Sequence, residues 1–139
     1  MKKRTQILHW INNGCYPGYI MFSCGFTHDE LCKLLKTKKA DGWLRGINGD
    51  KKLFDECKGL ASQRTITDQK TGKEITLMYL YLKNSFEFTD EDYIVLSHEV
   101  LHLCQFFLPD LMKNREIEAE SYYHSHIMRQ CLQILRNKK

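Results

Sequence analysis

Composition and charge place the chain among ordinary globular proteins. With 139 residues, 42% hydrophobic and 27% charged residues and two prolines, it can bury one core, which excludes a disordered or fibrous protein. No apolar run approaches the roughly 18 residues of a membrane span, and the stretch after the basic N-terminus is too short for a secretory signal. We therefore expect a single domain over residues 1–139.

The six cysteines indicate the cellular compartment, and the net charge of +4 bears on the kind of partner that the protein binds. No two cysteines form a Cys-x-x-Cys pair, and several lie among apolar residues, so we expect reduced thiols, mostly in the core of a cytoplasmic protein. The basic residues are scattered, and no nucleic-acid-binding motif accompanies them. The charge pattern therefore favours solvated faces over a nucleic-acid interface.

The first third of the chain predicts a mixture of helix and strand. A short N-terminal helix or turn should extend through Trp10, and residues 19–26, rich in aromatic and branched side chains, indicate a strand. Thr27 and Glu30 form a capping box for a helix that should run to about Lys39. His28 is expected to be exposed in the first turn of that helix.

The middle of the chain predicts a loop followed by a hairpin. Residues 40–63 carry four glycines and indicate loop-rich surface, with Trp43 folded inward and a short helix near Leu53. Residues 64–68 and 73–82 predict two strands joined by a Gly-containing turn. The second strand is apolar on both faces, so it should be central and covered on each side.

Two helices are predicted at the end of the chain. An acidic capping sequence begins the first helix at Thr89, and Pro109 should end it at about residue 108. A long helix should follow over residues 115–135, with one apolar stripe formed by Ile117, Met128, Cys131 and Leu135. The whole order indicates an α+β fold, in which a small, mostly antiparallel sheet packs on helices.

The first of these two helices contains a His-Glu-x-x-His motif. His98 and His102 are four residues apart, so they lie one turn above each other and can offer imidazole nitrogens to one metal ion. Glu99 falls beside them, where its carboxylate can reach a metal-bound water without becoming a ligand. This is the arrangement that a zinc hydrolase needs, with Glu99 as the general base.

A catalytic zinc needs a third protein ligand. The His-x-x-Gly-x-x-His continuation fails here, because Gln105 and Leu108 stand in the places of Gly and His. The last helix offers three glutamates instead. Glu118 lies about 200° from Glu116 around the helix, while Glu120 is only about 40° away. Glu116 and Glu120 therefore share a face.

The two motifs together resemble a known family. A His-Glu-x-x-His helix followed by the Glu-x-x-Ala-acidic pattern of residues 116–120 is similar to gluzincin zinc metallopeptidases, especially the minimal gluzincins and the ImmA/IrrE-like peptidases. The resemblance covers about residues 89–136. It implies a zincin-like fold, one bound Zn²⁺ and hydrolysis of a peptide or protein substrate. It also implies Glu116 as the third ligand and Glu120 as an acceptor for a ligand histidine, although many relatives have Asp or Asn at that position, which leaves this second role open.

The resemblance also implies roles in catalysis. Glu99 would take a proton from the water and later deliver it to the leaving amine. Tyr123 is one candidate for the donor that stabilises the oxyanion, because it returns to nearly the helical angle of Glu116, and His124 and His126 are others. The alternative is a zinc-binding regulatory or protein-interaction module that no longer hydrolyses peptides. The oligomeric state is left open.

Overall fold

The fold is α+β, with a mixed four-stranded sheet and five helices in the part of the chain that the structure describes. The structure is a computed structural model that describes residues 4–12, 18–107 and 117–138, with the backbone alone for residues 107 and 117–120. In chain order the elements are β1 (Ile7–Asn12), β2 (Tyr19–Cys24), α1 (His28–Thr37), α2 (Asp41–Ile47), α3 (Lys51–Glu56), β3 (Gly59–Thr67), β4 (Glu74–Leu82), α4 (Asp90–Phe107) and α5 (Ile117–Asn137).

The sheet has the strand order β1-β2-β4-β3. The pairs β1–β2 and β3–β4 are antiparallel, whereas β2 and β4 run parallel, so the sheet is mixed although antiparallel pairs prevail. The predicted hairpin and the central position of β4 are confirmed: β4 lies between two strands and buries residues 77–82. Its partner β3 is longer than predicted and forms an edge of the sheet.

The N-terminal prediction is wrong, because residues 7–12 form strand β1 and not a helix or turn. The two buried residues of this strand, Ile7 and Ile11, are four positions apart. That spacing puts side chains on one face of a helix and also on one face of a strand, so a short apolar run does not distinguish the two. Pairing with β2 along six residues decides in favour of the strand.

The loop predicted over residues 40–63 is wrong for residues 41–47 and 59–63, which form α2 and the start of β3, whereas the short helix predicted near residues 53–57 is confirmed as α3. Glycine suggested loop, but Gly46 has a packing role within α2. A Cβ atom there would lie 2.1 Å from the Tyr79 hydroxyl oxygen, which donates a hydrogen bond to the Trp43 carbonyl at 2.8 Å. Glycine therefore lets α2 approach the sheet closely.

His28 is buried, contrary to the prediction of an exposed position. Its ring lies edge-on to Phe54, and its Nε2 atom is 2.7 Å from the Ile47 carbonyl oxygen, to which it donates. The capping box before it is confirmed, since the Thr27 side chain and the Glu30 side chain each bind the other's backbone N–H. The helix start and the short helix that carries Phe54 were thus predictable, but α2 and the packing of both helices over His28 were not.

Helices cover both faces of the sheet. Helices α1, α2 and α3 pack on the face that carries Met21, Leu77, Tyr79 and Tyr81. Helices α4 and α5 pack on the opposite face, where their buried residues are Leu96, Val100, Leu103, Cys104, Tyr123, Ile127, Cys131 and Leu135. The two faces thus have separate cores, and the predicted apolar stripe of the last helix is confirmed at Cys131 and Leu135.

The five described cysteines are thiols, as expected, and three of them are buried. Burial raises the pKa of the Cys24 thiol to about 12, which keeps it protonated and unreactive at neutral pH. Cys15 lies outside the described residues. Within the described ranges, no helix is both long and apolar enough to cross a membrane.

Candidate metal centre

Helix α4 presents the two histidines of the motif at its surface. His98 is exposed and His102 is partly exposed. Their Nε2 atoms lie 3.0 Å apart, and their rings are nearly perpendicular with centroids 4.6 Å apart. The i, i+4 spacing therefore produces a converging pair of imidazole nitrogens, as the sequence predicted.

The distance between these nitrogens suits a zinc ion. Two ligands at about 2.0–2.1 Å from a tetrahedral zinc are about 3.4 Å apart. The observed 3.0 Å differs from this value by a few tenths of an ångström, which a small rotation of either ring provides. His98 and His102 are therefore residues that could hold the metal.

Gln105 determines which nitrogen of His102 carries the proton. Its side-chain oxygen lies 3.1 Å from His102 Nδ1, and an amide oxygen can only accept, so Nδ1 is the donor. Nε2 of His102 is then the nitrogen with a free lone pair, which is the form that binds a metal. Gln105 follows His102 by three residues, and that spacing was the signal in the sequence for this contact.

Glu99 turns away from the histidine pair's exposed surface and towards the sheet. It is 9% exposed, and its Oε2 atom accepts a hydrogen bond of 2.8 Å from the backbone N–H of Ala61 in β3. Gly59 makes room for this side chain, since a Cβ atom at position 59 would lie 3.0 Å from Glu99 Cγ. The general-base candidate is thus held between α4 and the edge strand.

The predicted third ligand lies outside the described residues. Glu116 belongs to the segment 108–116, and for Glu120 the structure describes the backbone of α5 but not the side chain. Among the described residues, no group of three His, Cys, Asp or Glu side chains is arranged to hold a metal. The roles of Glu116 as a zinc ligand and of Glu120 as a hydrogen-bond acceptor for a ligand histidine therefore stay predictions.

The three candidate oxyanion donors occupy different environments. Tyr123 is buried at 6% exposure in the core between α4, α5 and the sheet. His126 is exposed, and its Nε2 atom lies 2.8 Å from Gln130. His124 contacts α4, with Nε2 at 3.3 Å from both the carbonyl and the hydroxyl oxygen of Ser97. His124 therefore contacts the residue that precedes the motif.

Comparison with known proteins adds no relative. No protein-family model matches the chain, and no curated protein or solved structure matches it significantly.

Proposed function

We propose that this protein is a zinc-dependent peptidase of the gluzincin type, with a zincin-like fold, that acts on peptide or protein substrates in the cytoplasm. The observation that carries the proposal is the placement of the three motif residues of α4. His98 and His102 converge at the surface, while Glu99 lies buried beside them against an edge strand. This combination matches the roles that the motif requires of each residue.

The proposed ligands are His98, His102 and Glu116. Bound zinc supplies Lewis acidity and lowers the pKa of a water molecule towards 7. Gln105 already accepts a hydrogen bond from Nδ1 of His102. The ligand histidine that donates to Glu120 would therefore be His98. Each ligand histidine then has its own partner, which fixes its ring and keeps its metal-facing nitrogen deprotonated.

Glu99 is the proposed proton carrier. Its Oε2 atom is occupied by the Ala61 N–H, which leaves Oε1 to accept a proton from water and to deliver it to the leaving amine. His124 is the proposed oxyanion donor with a described contact at the motif helix, and Tyr123 and His126 stay as alternatives. The buried position of Glu99 limits competing hydrogen bonds from solvent.

The edge strand β3 is the proposed docking strand for the substrate. Hydrogen bonds between residues 58 and 83 and between residues 68 and 73 show that even-numbered residues of β3 pair with β4. The odd-numbered residues Ala61, Gln63 and Thr65 therefore direct their backbone groups away from the sheet. An extended peptide can pair with this edge, which the contact between Ala61 and Glu99 places directly beside the motif helix.

The test is a Glu99→Gln substitution in the zinc-loaded protein. We expect one zinc per chain in both proteins, because Glu99 is not a ligand, and a fall in turnover of about 10²–10⁴-fold, because the base is lost. Peptide turnover and metal content are measured together. Glu91→Gln is the matched control, since Glu91 is an exposed acid on the same helix that pairs with Lys58 at 3.1 Å. Cleavage by Glu99→Gln at the parent rate, or loss of its zinc, would contradict the proposal.

A second function is supported by the same contact. The hydrogen bond from the Ala61 N–H to the Glu99 carboxylate also links α4 to β3. In a zinc-binding regulatory module that does not hydrolyse peptides, this hydrogen bond would only stabilise the fold. That function predicts stoichiometric zinc, no turnover by the parent protein, and a lower free energy of unfolding for Glu99→Gln. The turnover of the parent protein therefore separates the two functions.

A further inference from the structure

We infer that the backbone N–H of Ala61 is a positioning group for Glu99: it holds Oε2 and leaves Oε1 for proton transfer. The inference rests on the proposed function and adds to it a group that the motif does not contain. It assigns a role in the reaction to a main-chain atom of the edge strand, which no side-chain pattern in the sequence could reveal.

The first support is the environment of Glu99. Within the described ranges, the Ala61 N–H is the hydrogen-bond donor to this carboxylate, at 2.8 Å. Glu99 is buried, and Gly59 and Val95 lie at its stem, because a Cβ atom at position 59 would be 3.0 Å from Glu99 Cγ and 2.8 Å from Val95 Cγ1. A buried carboxylate needs a hydrogen-bond donor to replace water, and a single N–H donor then determines the orientation of the carboxylate.

The second support is the direction of the N–H. Ala61 belongs to the odd-numbered residues of β3, whose N–H groups point away from β4. This N–H therefore contributes nothing to the sheet ladder and is available to Glu99. An edge strand normally exposes such groups to solvent or to other strands. Here one of them is directed at the residue that should move the proton.

The consequence is a fixed orientation of the general base. A glutamate side chain has three rotatable bonds, and proton transfer requires its oxygen within hydrogen-bond reach of the water. Catalytic groups need to be held within about 0.5 Å of their productive position by neighbouring groups. The Ala61 N–H supplies that restraint from the strand on which the substrate is proposed to dock.

The experiment removes the N–H without changing the motif. Proline lacks an N–H and is tolerated on edge strands where that group faces outward, so Ala61→Pro deletes the donor and no ladder hydrogen bond. We expect one zinc per chain and a KM within about twofold of the parent, but a kcat lower by about 10- to 100-fold, as for other groups that orient a catalytic residue.

Thr67→Pro is the control for proline itself. Thr67 is an exposed, odd-numbered residue at the far end of β3, where an outward N–H is lost away from Glu99. This variant should keep the parent kcat and zinc content. A parent kcat in folded Ala61→Pro, or a kcat lowered equally in Ala61→Pro and Thr67→Pro, would overturn the inference.

Amide hydrogen exchange gives a readout that needs neither zinc nor turnover, and it decides the matter if Ala61→Pro fails to fold. The Ala61 amide should exchange faster by about tenfold or more in Glu99→Ala than in the parent, while the amides of Leu60 and Ser62 stay protected by the ladder. Equal exchange of the Ala61 amide in both proteins would overturn the inference. A parent with this protection but without zinc or turnover would instead overturn the proposed function, and with it the catalytic purpose of the contact.

Discussion

The two faces of the sheet use histidine in opposite ways. On the face covered by α1, α2 and α3, His28 is 3% exposed, and its Nε2 donates to the Ile47 carbonyl at 2.7 Å. On the other face, His98 and His102 lie at the surface with their nitrogens 3.0 Å apart. A histidine whose nitrogen is satisfied by a backbone carbonyl stabilises the fold, whereas the converging surface pair is the described part of the metal site that we propose.

The polar groups of the two faces follow the same division. On the His28 face, the hydroxyls of Tyr79 and Tyr81 donate to backbone carbonyls at 2.8 and 2.7 Å, and burial raises the pKa of Tyr81 to about 12. Such neutral, paired groups do not change charge in the physiological range. On the α4 face, the Glu99 carboxylate is buried beside an exposed edge. The one carboxylate that is buried in the described part of the chain therefore lies on the face of the proposed site.

The largest expected effect separates the two kinds of histidine. His98→Ala should abolish stoichiometric zinc binding and change the free energy of unfolding of the metal-free protein by no more than about 0.5 kcal/mol, because His98 is exposed. His28→Ala should retain zinc and lower that free energy by about 2–4 kcal/mol, because it leaves a cavity and an unpaired Ile47 carbonyl. Metal analysis and urea denaturation of the metal-free proteins measure both effects.

Either of two opposite results would contradict the difference between the two kinds of histidine. If the parent protein from zinc-replete medium and His98→Ala carry equal, near-zero zinc, the surface pair is not a metal site. If His28→Ala unfolds at the same urea concentration as the parent, the carbonyl contact of His28 contributes no stability, and burial alone does not distinguish the two faces.

A smaller effect concerns the glutamates that should complete the site. Glu116→Ala should lose most of the zinc affinity, since it removes a ligand, and Glu120→Ala should weaken it by about 10- to 100-fold, since it removes an orienting partner. Glu118→Ala is the matched control and should change little, because position 118 lies about 200° around the helix from position 116. Competition with a fluorescent zinc chelator measures all three affinities. Loss of metal in Glu118→Ala would require the site to be redrawn around Glu118.

Local signals in the sequence predicted the helices that begin with a capping residue and the strand that consists of a long apolar run. The capping box at Thr27, the start of α4 after Thr89 and the buried strand β4 were all predicted, because each depends on residues close in the chain. Residues 7–12 and α2 were not, because a short apolar run and a Gly-containing helix take their structure from β2 and from Tyr79. Those partners are distant in sequence.

The candidate site divides in the same way. The positions of His98, Glu99 and His102 on one helix follow from their spacing alone. The contact between Glu99 and Ala61 does not, because it joins residues 38 positions apart through a backbone atom. Gln105 is the intermediate case: its distance from His102 is local, but its relevance appears only when the histidine nitrogens are seen to converge.

The smallest expected effect compares the caps of the two helix groups. Thr89 Oγ1 accepts from the Asp92 N–H at 3.2 Å, and Thr27 Oγ1 accepts from the Glu30 N–H at the same distance. Thr89→Ala and Thr27→Ala should each lower the free energy of unfolding by about 1 kcal/mol, since each leaves one N–H at a helix start unpaired. Urea denaturation of the metal-free proteins measures the two changes side by side.

Zinc affinity then shows whether a cap influences the site. His98 lies nine residues after Thr89, about two and a half turns into α4, and fraying of a helix start is confined to about its first turn. Thr89→Ala should therefore bind zinc within about twofold of the parent, as should Thr27→Ala, whose helix lies on the opposite face. A tenfold weaker affinity in Thr89→Ala alone would mean that the whole of α4 must be ordered for the histidines to converge. The Ala61 contact would then not be enough to hold the middle of the helix, and the site would depend on the helix start as well as on the edge strand.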